Sequence, residues 1–415
     1  MNVMVVDPGA RGQAYAQKLH EEGAYVLVSP GNPGNEHFAE STDVPVTDVA
    51  GQVDVAVGRG VDLTIVCSDD ALERGLVDAL QSEGALAYGP TRDQARLEWD
   101  RAYGKEIAKK LGIPIGAYAE FREPTAALEY AQTLSGWPLF VKDNYLARGK
   151  GATECATLLD VQVAIAKQFG SFVVEEFVSG PEASHHAFCD GKTHLSIPIL
   201  ARDHKRLLDG DKGPMTGGMG VIAGLHYSPE EIVALGNRFV QPVVEVTGFR
   251  GTLFSGLKGD KGHEKNLEWN ARDGDPEMAV YLRYLQSPLL PILMACIEGN
   301  LAGLEAPQWA TNHYVANIVL AAPGYPDRPE RGHVIEGLED AQRLSGVSVL
   351  HAGTAIRRGS LVTEGGRVLN VLAEASTMEG AITRAYEAVA HIGFGGKPPI
   401  YRTDIGRTAL AEYSA

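Results

Sequence analysis

The chain has 415 residues, enough for about two to four compact units, each with its own hydrophobic core. Its 37 basic and 53 acidic residues give a net charge of −16, whose field repels polyanions and disfavours a nonspecific role on nucleic acid or on an anionic membrane. No apolar run approaches the roughly 18 residues of a membrane span, and the four cysteines lack metal-type spacing. We expect a cytoplasmic monomer or homodimer with reduced thiols that binds neither nucleic acid nor membrane.

The first hundred residues predict an open parallel α/β sheet. Short apolar runs at 2–6, 24–28 and 62–66 are typical of buried strands, and helical patterns follow at 11–22 and 71–83. In sheets of this kind, ligands bind beyond the carboxyl ends of the strands.

The first of these strand ends is the turn DPGARG at 7–12. Its glycines can admit a phosphate at a helix N-terminus. The turn is not a complete G-x-G-x-x-G motif, so taken alone an ordinary strand-to-helix connection explains it better. A charged helical stretch follows later, at 91–111.

A candidate phosphate-binding segment lies at 138–154. A strand ends in Lys142, and Gly149-Lys150-Gly151 follows it. A lysine at the edge of a buried strand can neutralise a phosphate, and glycines let backbone N–H groups approach phosphate oxygens. A flexible hairpin with solvated lysines is the alternative.

The segment at 172–184 is a candidate nucleotide-binding strand. An apolar run leads into Glu175 and continues through Val178. Such a strand can hydrogen-bond an adenine edge, and Glu182, after a Gly-Pro turn, can hold a ribose. An exposed acidic loop is the alternative.

The segment at 201–220 is rich in charge and then in glycine. Ordering four glycines within eight residues costs backbone entropy. We expect the chain to bear this cost because the backbone wraps closely around a ligand. A disordered loop is the alternative.

The segment at 267–279 carries a candidate metal and carboxylate site. Glu268 and Asn270 lie two residues apart on a strand, so both side chains point to one face. Two oxygens, completed by phosphate and water, suit Mg²⁺. Arg272 continues on that face and can clamp a carboxylate, while Asp275 can hold a substrate amine. The polar face of an edge strand is the alternative for the metal pair.

The order of these segments resembles the ATP-grasp ligases and, more closely, the glycinamide ribonucleotide synthetase family. The resemblance covers essentially the whole chain. It rests on YGPTRDQARLE (88–98), GKGA (149–152), VVEEFVSGPEAS (173–184), DHKRLLDGDKGPMTGGMG (203–220), NARDGDPE (270–277), HAGTAIRRGSLVTEGGRVLNV (351–371) and YRTDIGRTAL (401–410).

The resemblance implies a multidomain fold of mixed α/β and α+β class. An open parallel α/β domain would span 1–100 and form the amine-substrate side. An ATP-grasp core would span 101–322, with 119–188 as its small ATP-binding lid. A β-rich C-terminal domain would span 323–415, with a hairpin turn at 364–366.

The resemblance also assigns roles by position. Phosphate contacts would come from Lys105, Lys142, Gly149, Lys150 and Gly151; adenine and ribose contacts from Glu175, Val178 and Glu182; Mg²⁺ ligation from Glu268 and Asn270; catalysis from Asp203, Lys205, Arg272 and Asp275; and substrate contacts from Gly9, Arg11, Gly217, Gly218, Arg272, Asp275 and Arg367.

The implied reaction uses ATP as co-substrate, with Mg²⁺ or Mn²⁺. Glycine, or a similar amino acid, attacks the γ-phosphorus to give an acyl phosphate and ADP. The amine of phosphoribosylamine then attacks the acyl carbon and releases phosphate, in a step of purine synthesis. Catalysis would come mainly from positioning and charge stabilisation, with a closing loop that excludes water.

The sequence departs from the family pattern mainly on the amine side. The family's GxGGREHA is here DPGARGQA, at 7–14, and its GPEAPL is CSDDAL, at 67–72. The resemblance assigns both turns to the phosphoribosylamine pocket, where Asp7, Asp69 and Asp70 would oppose an anionic phosphate. Three hypotheses follow: a divergent family member, a paralogue with a different amine in secondary metabolism, and an inactive ATP-binding scaffold. The retained Lys142, Glu268, Asn270 and Arg272 argue against the third.

Overall fold

A computed structural model describes residues 1–134, 136–145, 151–168, 170–311 and 313–414. The N-terminal part is a five-stranded parallel sheet of order β3-β2-β1-β4-β5. Its elements are β1 Asn2–Val6, α1 Ala10–Glu21, β2 Tyr25–Val28, β3 Glu40–Ser41, α2 Val49–Gly58, β4 Leu63–Val66, α3 Asp69–Glu73, α4 Leu76–Ser82, β5 Ala87–Tyr88 and α5 Arg92–Trp99. The predicted strands at 2–6, 24–28 and 62–66 are thereby confirmed as β1, β2 and β4.

Two predicted helices are each split into two. The helix expected at 71–83 breaks at Gly75, whose φ of +78° is the left-handed conformation that glycine adopts without strain. The helix expected within 91–111 breaks at Asp100, whose carboxylate accepts the backbone N–H of Tyr103 at 3.1 Å. Asp100 is the N-cap of a new helix, α6 Arg101–Lys110.

The next part is an antiparallel sheet of order β6-β9-β7-β8, which we call the lid sheet. Its elements are β6 Tyr118–Phe121, α7 Pro124–Thr133, β7 Leu139–Asp143, β8 Ala152–Cys155, α8 Leu158–Ile165 and β9 Phe172–Glu176. Alternate strand residues such as Leu139, Val141 and Val174 are fully buried against the two helices.

A large antiparallel sheet occupies the rest of the chain, in the order β17-β16-β10-β12-β15-β18-β23-β20 with β11 beside β10. Its first elements are β10 Glu182–Asp190, β11 His194–Ser196, β12 Ala201–Asp203, β13 Arg206–Leu208, β14 Lys212–Met215, β15 Gly220–Ala223, α9 Pro229–Phe239, α10 Gln241–Thr247, β16 Arg250–Lys258, β17 Lys265–Asn270, α11 Glu277–Tyr284, α12 Leu289–Glu298 and β18 Tyr314–Ala321. Strands β13 and β14 form a separate pair.

The C-terminal part extends this sheet. Its elements are β19 Ile335–Glu336, α13 Leu338–Gln342, β20 Val347–His351, β21 Thr354–Arg357, β22 Ser360–Thr363, β23 Arg367–Ala375, α14 Met378–Val389, β24 Gly393–Phe394 and α15 Arg407–Ser414. The architecture confirms the predicted fold class. The large sheet continues past residue 322, so the domain division proposed at that point stays a prediction.

The hairpin turn predicted at 364–366 is wrong. Strand β22 pairs with β21, and β23 pairs with β18 and β20, so residues 364–366 connect two different sheets. The hairpin forms one strand earlier, at a turn where Arg358 has a φ of +53°. The segment after 323 also contains the helix α14, which packs along β23 and β18.

Packing between the parts brings the start of α1 close to the start of α11. Val3, Val5 and Tyr15 share a buried cluster with Tyr281 of α11 and Ile292 of α12. The side chain of Gln13 then links α1 to β20, because it accepts the backbone N–H of His351 at 2.6 Å. Among the described residues, none of the helices has the length and apolar content to cross a membrane.

We expect that Phe239→Ala lowers the free energy of unfolding by about 3–5 kcal/mol, because the ring is fully buried and its removal leaves a cavity. Val233→Ala on the same helix is the matched control, since Val233 is 50% exposed, and it should change stability by less than about 0.5 kcal/mol. Urea unfolding monitored by circular dichroism measures both. Equal losses for the two variants would contradict this assignment of the core.

Candidate active site

A cleft of about 580 Å³ lies where the three parts meet. Its walls come from the carboxyl ends of β1 and β4, from the lid sheet and from β16 and β17. The predicted site residues that line it are Gly9, Arg11, Lys105, Lys142, Gly151, Glu175, Val178, Glu182, Asp203, Lys205, Gly217, Glu268, Asn270, Arg272, Asp275 and Arg367. Segments far apart in sequence therefore converge on one cleft, while the individual roles stay predictions.

Three of the predicted site residues are not among the described residues that line the cleft. Gly149 and Lys150 lie outside the described residues. Gly218 lies near the cleft without lining it: at a φ of +112°, a Cβ there would come 2.9 Å from Oδ1 of Asp203. Gly218 therefore lets the backbone pass close to the Asp203 carboxylate.

Two buried lysines share one carboxylate at the lid end of the cleft. Nζ of Lys105, on α6, lies 2.6 Å from Oε2 of Glu175, and Lys142, on β7, pairs with Oε1 of the same residue. Burial opposes ionisation of Glu175, but Lys105, Lys142 and Arg101 outweigh it and lower the pKa of this carboxyl to about 2. Glu175 is thus ionised, and its carboxylate lies between the ammonium groups of Lys105 and Lys142.

Glu268 lies between two further cations. Its carboxylate accepts hydrogen bonds from Nη1 of Arg101 at 2.8 Å and from Nζ of Lys205 at 3.2 Å. Despite the burial penalty, these cations keep the pKa of Glu268 well below its usual range. The neighbouring Asn270 is 9% exposed and faces the same cleft.

The donor set at Glu268 and Asn270 fits Mg²⁺ better than a metal held by protein alone. In the described part of the chain, no three or more His, Cys, Asp or Glu side chains are grouped to hold a metal ion. Mg²⁺ is commonly bound by one or two protein oxygens, with substrate phosphates and water completing the shell. One carboxylate and one amide oxygen, in the cleft that Lys105 and Lys142 also line, match that arrangement.

Arg272 has a partner that the sequence did not point to. Its Nη2 lies 3.0 Å from Oε1 of Glu98, on α5, and the other oxygen of Glu98 accepts the N–H of Ala271 at 2.9 Å. Glu98 therefore orients both the backbone and the side chain at this point. Burial raises the pKa of Glu98 to about 7, although Arg272 opposes the shift.

Arg367 joins two loops at the cleft. Its Nη2 lies 2.8 Å from Oδ2 of Asp275, and its Nη1 donates to the carbonyl oxygens of Gly217 and Asp275 at 2.7 and 2.8 Å. This bidentate use of one guanidinium holds the glycine-rich loop against the segment that carries Arg272 and Asp275.

Glu277 is a second residue that sequence reasoning missed, although it ends the GDPE motif. It lies at the start of α11, is 2% exposed and lines the cleft. Burial raises the pKa of both carboxyls, and the charge of Glu277 raises the pKa of Asp203 further. Their protonated forms are accordingly more populated than those of ordinary carboxyls.

The β1–α1 turn is built around an internal ion pair. Asp7 accepts the N–H of Gly9 at 2.7 Å and pairs with Nε of Arg11 at 2.5 Å. Arg11 also donates to the carbonyl of Asp273 at 2.6 Å. A Cβ at Gly12 would lie 2.1 Å from the carbonyl oxygen of Asp7, so only glycine fits there.

The raised pKa of Glu98 predicts a pH-dependent stability. The unfolded chain ionises Glu98 near the ordinary pKa of 4.5, whereas the folded chain keeps the proton up to about pH 7. The folded state therefore binds more protons in this range, and its stability falls as the pH rises through it. Glu98→Gln removes this titration, so the stability of the variant relative to the parent should rise by up to about 3 kcal/mol between about pH 5 and about pH 8.

Urea unfolding of both proteins at several pH values within this range measures the difference. Glu83→Gln, at the exposed C-terminus of α4, controls for the loss of one carboxylate. A stability difference between Glu98→Gln and the parent that does not change with pH would contradict the raised pKa.

Comparisons with known proteins match the chain along its length. The models of the phosphoribosylglycinamide synthetase family, another name for glycinamide ribonucleotide synthetase, match with the N domain at residues 1–98, the ATP-grasp (A) domain at 99–278 and the C domain at 315–408. The chain is 37% identical to phosphoribosylamine–glycine ligase of Brucella melitensis, with 100% of both chains covered, and 38% identical to that of Caulobacter vibrioides, with 99% of each covered.

The structural comparison agrees with these matches. The crystal structure of phosphoribosylamine–glycine ligase from Thermotoga maritima is similar with a TM-score of 0.80 and 28% identity, covering 98% of this chain and 100% of that one. Family, fold and cleft agree with the resemblance noted in the sequence motifs. The chain belongs to the phosphoribosylglycinamide synthetase family, whose members are ATP-dependent ligases with the ATP-grasp fold.

Proposed function

We propose that the protein joins glycine to phosphoribosylamine through a glycyl phosphate intermediate and releases ADP and phosphate. One observation carries the proposal: a lysine pair, two Mg²⁺-type oxygen donors and a carboxylate-binding arginine all line the same cleft. Relatives named phosphoribosylamine–glycine ligase align with this chain from end to end, which supports the same substrates.

The lid end of the cleft is the proposed nucleotide site. Lys105 and Lys142 would exchange Glu175 for ATP phosphates, since both already point at one anion. Glu175 and Val178 would then contact adenine. Glu182 would hold the ribose, and Lys258 beside it, at 3.1 Å, supplies a further positive charge. The lysines act as point charges that can follow a moving phosphate.

Glu268 and Asn270 are the proposed Mg²⁺ ligands. When bound, Mg²⁺ neutralises charge on the transferring phosphate. Arg101 and Lys205 already contact Glu268, so they would remain beside the ligand set and supply positive charge at the same place. This concentration of cations favours a transition state in which negative charge develops on phosphate oxygens.

Arg272 and Asp275 are the proposed glycine and amine contacts. The guanidinium of Arg272 would orient the glycine carboxylate so that one oxygen attacks the γ-phosphorus and ADP leaves. The amine nitrogen then attacks the acyl carbon, phosphate leaves and the nitrogen loses a proton. The proposed proton acceptor in this step is the ionised form of Asp203 or of Glu277, which the raised pKa makes a stronger base. Cytoplasmic location and a monomeric or dimeric state stay predictions.

A second candidate is a glycine ligase that uses a different amine. The ion pair between Asp7 and Arg11 favours it, because this pair places a carboxylate at the end of the cleft where the amine would enter. ATP and glycine would be used in the same way in both reactions.

A substrate panel tests the proposed function. ADP release from ATP and Mg²⁺ should require both glycine and an amine, and phosphoribosylamine formed in situ from ammonia and ribose 5-phosphate should support it. Mass spectrometry of the product identifies the amide. Stimulation by another amine and none by phosphoribosylamine would select the second candidate, and failure to bind ATP would reject both.

We expect Glu268→Gln to raise the Mg²⁺ concentration needed for half-maximal turnover by at least about tenfold, because a charged oxygen ligand becomes a neutral one. Titration of activity with Mg²⁺ measures the change. Glu231→Gln, which removes an exposed carboxylate paired with Lys261 at 2.7 Å, is the matched control. If Glu268→Gln turns over normally at limiting Mg²⁺, Glu268 is not a ligand.

A further inference from the structure

The end of the cleft opposite the lid contains three arginines, and each is paired with an internal carboxylate. Arg11 pairs with Asp7, Arg272 with Glu98, and Arg367 with Asp275. Two more carboxylates line the same end: those of Asp69 and Asp70. Carboxylates therefore outnumber arginines among the described residues at this end, whereas lysines and Arg101 surround the lid end.

Arg11 is the most enclosed of these arginines. It is 6% exposed and Asp7 is 4% exposed. Its Nε is bonded to Asp7 and its Nη1 to the Asp273 carbonyl, so the side chain makes charge-assisted bonds on two sides. A substrate anion that binds Arg11 at Nε or Nη1 must therefore replace one of these partners.

Asp7 also occupies the start of α1. Its Oδ1 accepts the N–H of Gly9, the residue that precedes the helix. A helix N-terminus favours negative charge, and here the chain supplies that charge itself. Together with the pairing to Arg11, one carboxylate thus contacts both the Arg11 guanidinium and the backbone N–H of Gly9.

The turn is reshaped to hold Asp7. In the family pattern GxGGREHA the first position is glycine and the sixth is glutamate; here these positions are Asp7 and Gly12. A side chain at position 12 would meet the Asp7 carbonyl at 2.1 Å. The acidic group has thus moved from the helix to the cleft side of the turn, and glycine at position 12 makes room for it.

We propose that Asp7 determines specificity for the amine substrate. Its carboxylate takes the place of a substrate anion at Arg11, so the phosphate of phosphoribosylamine contributes little to binding, and ribosylamine without a phosphate is accepted as well. This inference rests on the proposed ligase reaction, and it names the accepted class as glycosylamines with or without a phosphate.

Binding of two stable sugars tests the proposal apart from turnover. Calorimetry would compare ribose 5-phosphate with ribose on the parent, Asp7→Gly and Asp7→Asn. The affinities of the parent for the two sugars should lie within about threefold of each other, since the Asp7 carboxylate already occupies the anion position at Arg11. Both variants should gain at least about tenfold for ribose 5-phosphate and nothing for ribose, because a buried arginine left without its counter-ion attracts an anion.

Asp7→Asn keeps the size of the side chain, so it tests charge even if Asp7→Gly does not fold. Asp54→Asn, on the exposed face of α2, controls for the loss of one negative charge elsewhere. A parent that already prefers ribose 5-phosphate by tenfold or more would overturn the proposal. So would variants that gain nothing for the phosphate, and so would failure of all the proteins to bind either sugar.

Turnover then separates this inference from the proposed function. With ammonia and ATP present, the ratio of glycine-dependent ADP release with ribose 5-phosphate to that with ribose should be near one for the parent and should rise by about tenfold in Asp7→Asn. If the binding results are as expected but neither amine supports ADP release, the proposed function fails, and only the role of Asp7 in keeping the sugar phosphate from Arg11 stands.

Discussion

Charge buried without a partner is expensive, and this constraint organises the whole cleft. Eight described cations line it, and each pairs with a carboxylate within the chain. Most of the pairs join separate elements. Lys105 of α6 meets Glu175 of β9, Arg101 of α6 meets Glu268 of β17, and Arg367 of β23 meets Asp275 before α11. The ion pairs therefore hold the lid sheet, the large sheet and the C-terminal strands around a common space.

The same constraint bears on the substrate binding proposed for this cleft. A carboxylate such as Glu175 satisfies two lysines in the absence of ligand, and a phosphate can take over that role without leaving a cation unpaired. The exchange costs less than creating a new pair, because the positive charges are already desolvated and aimed at one point. Binding then depends on whether the incoming anion is a better partner than the internal one.

The parts of the fold that repeat a local pattern were predictable. Strands β1, β2 and β4 are apolar runs of a parallel sheet, and their positions follow from where these runs lie in the sequence. Motif residues such as Lys142 and Glu268 also lie in the cleft, because motifs preserve the spacing that the chemistry needs. Breaks within helices were not predictable, since Gly75 and Asp100 act through backbone geometry that several helical sequences tolerate.

Residues that act through tertiary partners were missed for a different reason. Glu98 lies in a charged helix, and no feature of the neighbouring sequence identifies it as the partner of Arg272, far later in the chain. His186 is similar: it is buried in β10 and its Nε2 accepts the N–H of Gly274 at 3.1 Å, which fixes the loop between Arg272 and Asp275. The contacts of Glu98 and His186 depend on which strands become neighbours. The strand order of an antiparallel sheet cannot be predicted from any single segment of the sequence.

The two ends of the cleft differ in how readily their ion pairs can be exchanged. At the lid end the paired cations are mainly lysines, which are compact point charges on flexible stems. At the other end they are arginines that also bond backbone carbonyls: Arg11 bonds that of Asp273, and Arg367 bonds those of Gly217 and Asp275. A guanidinium held on several sides cannot follow a substrate group without breaking bonds that shape the loops. The ion pairs at the proposed nucleotide end are therefore more readily exchanged for a substrate anion than those at the proposed amine end. Under the proposed function, a change of amine specificity in this chain would need a change of an internal carboxylate, whereas the proposed ATP contacts could stay as they are.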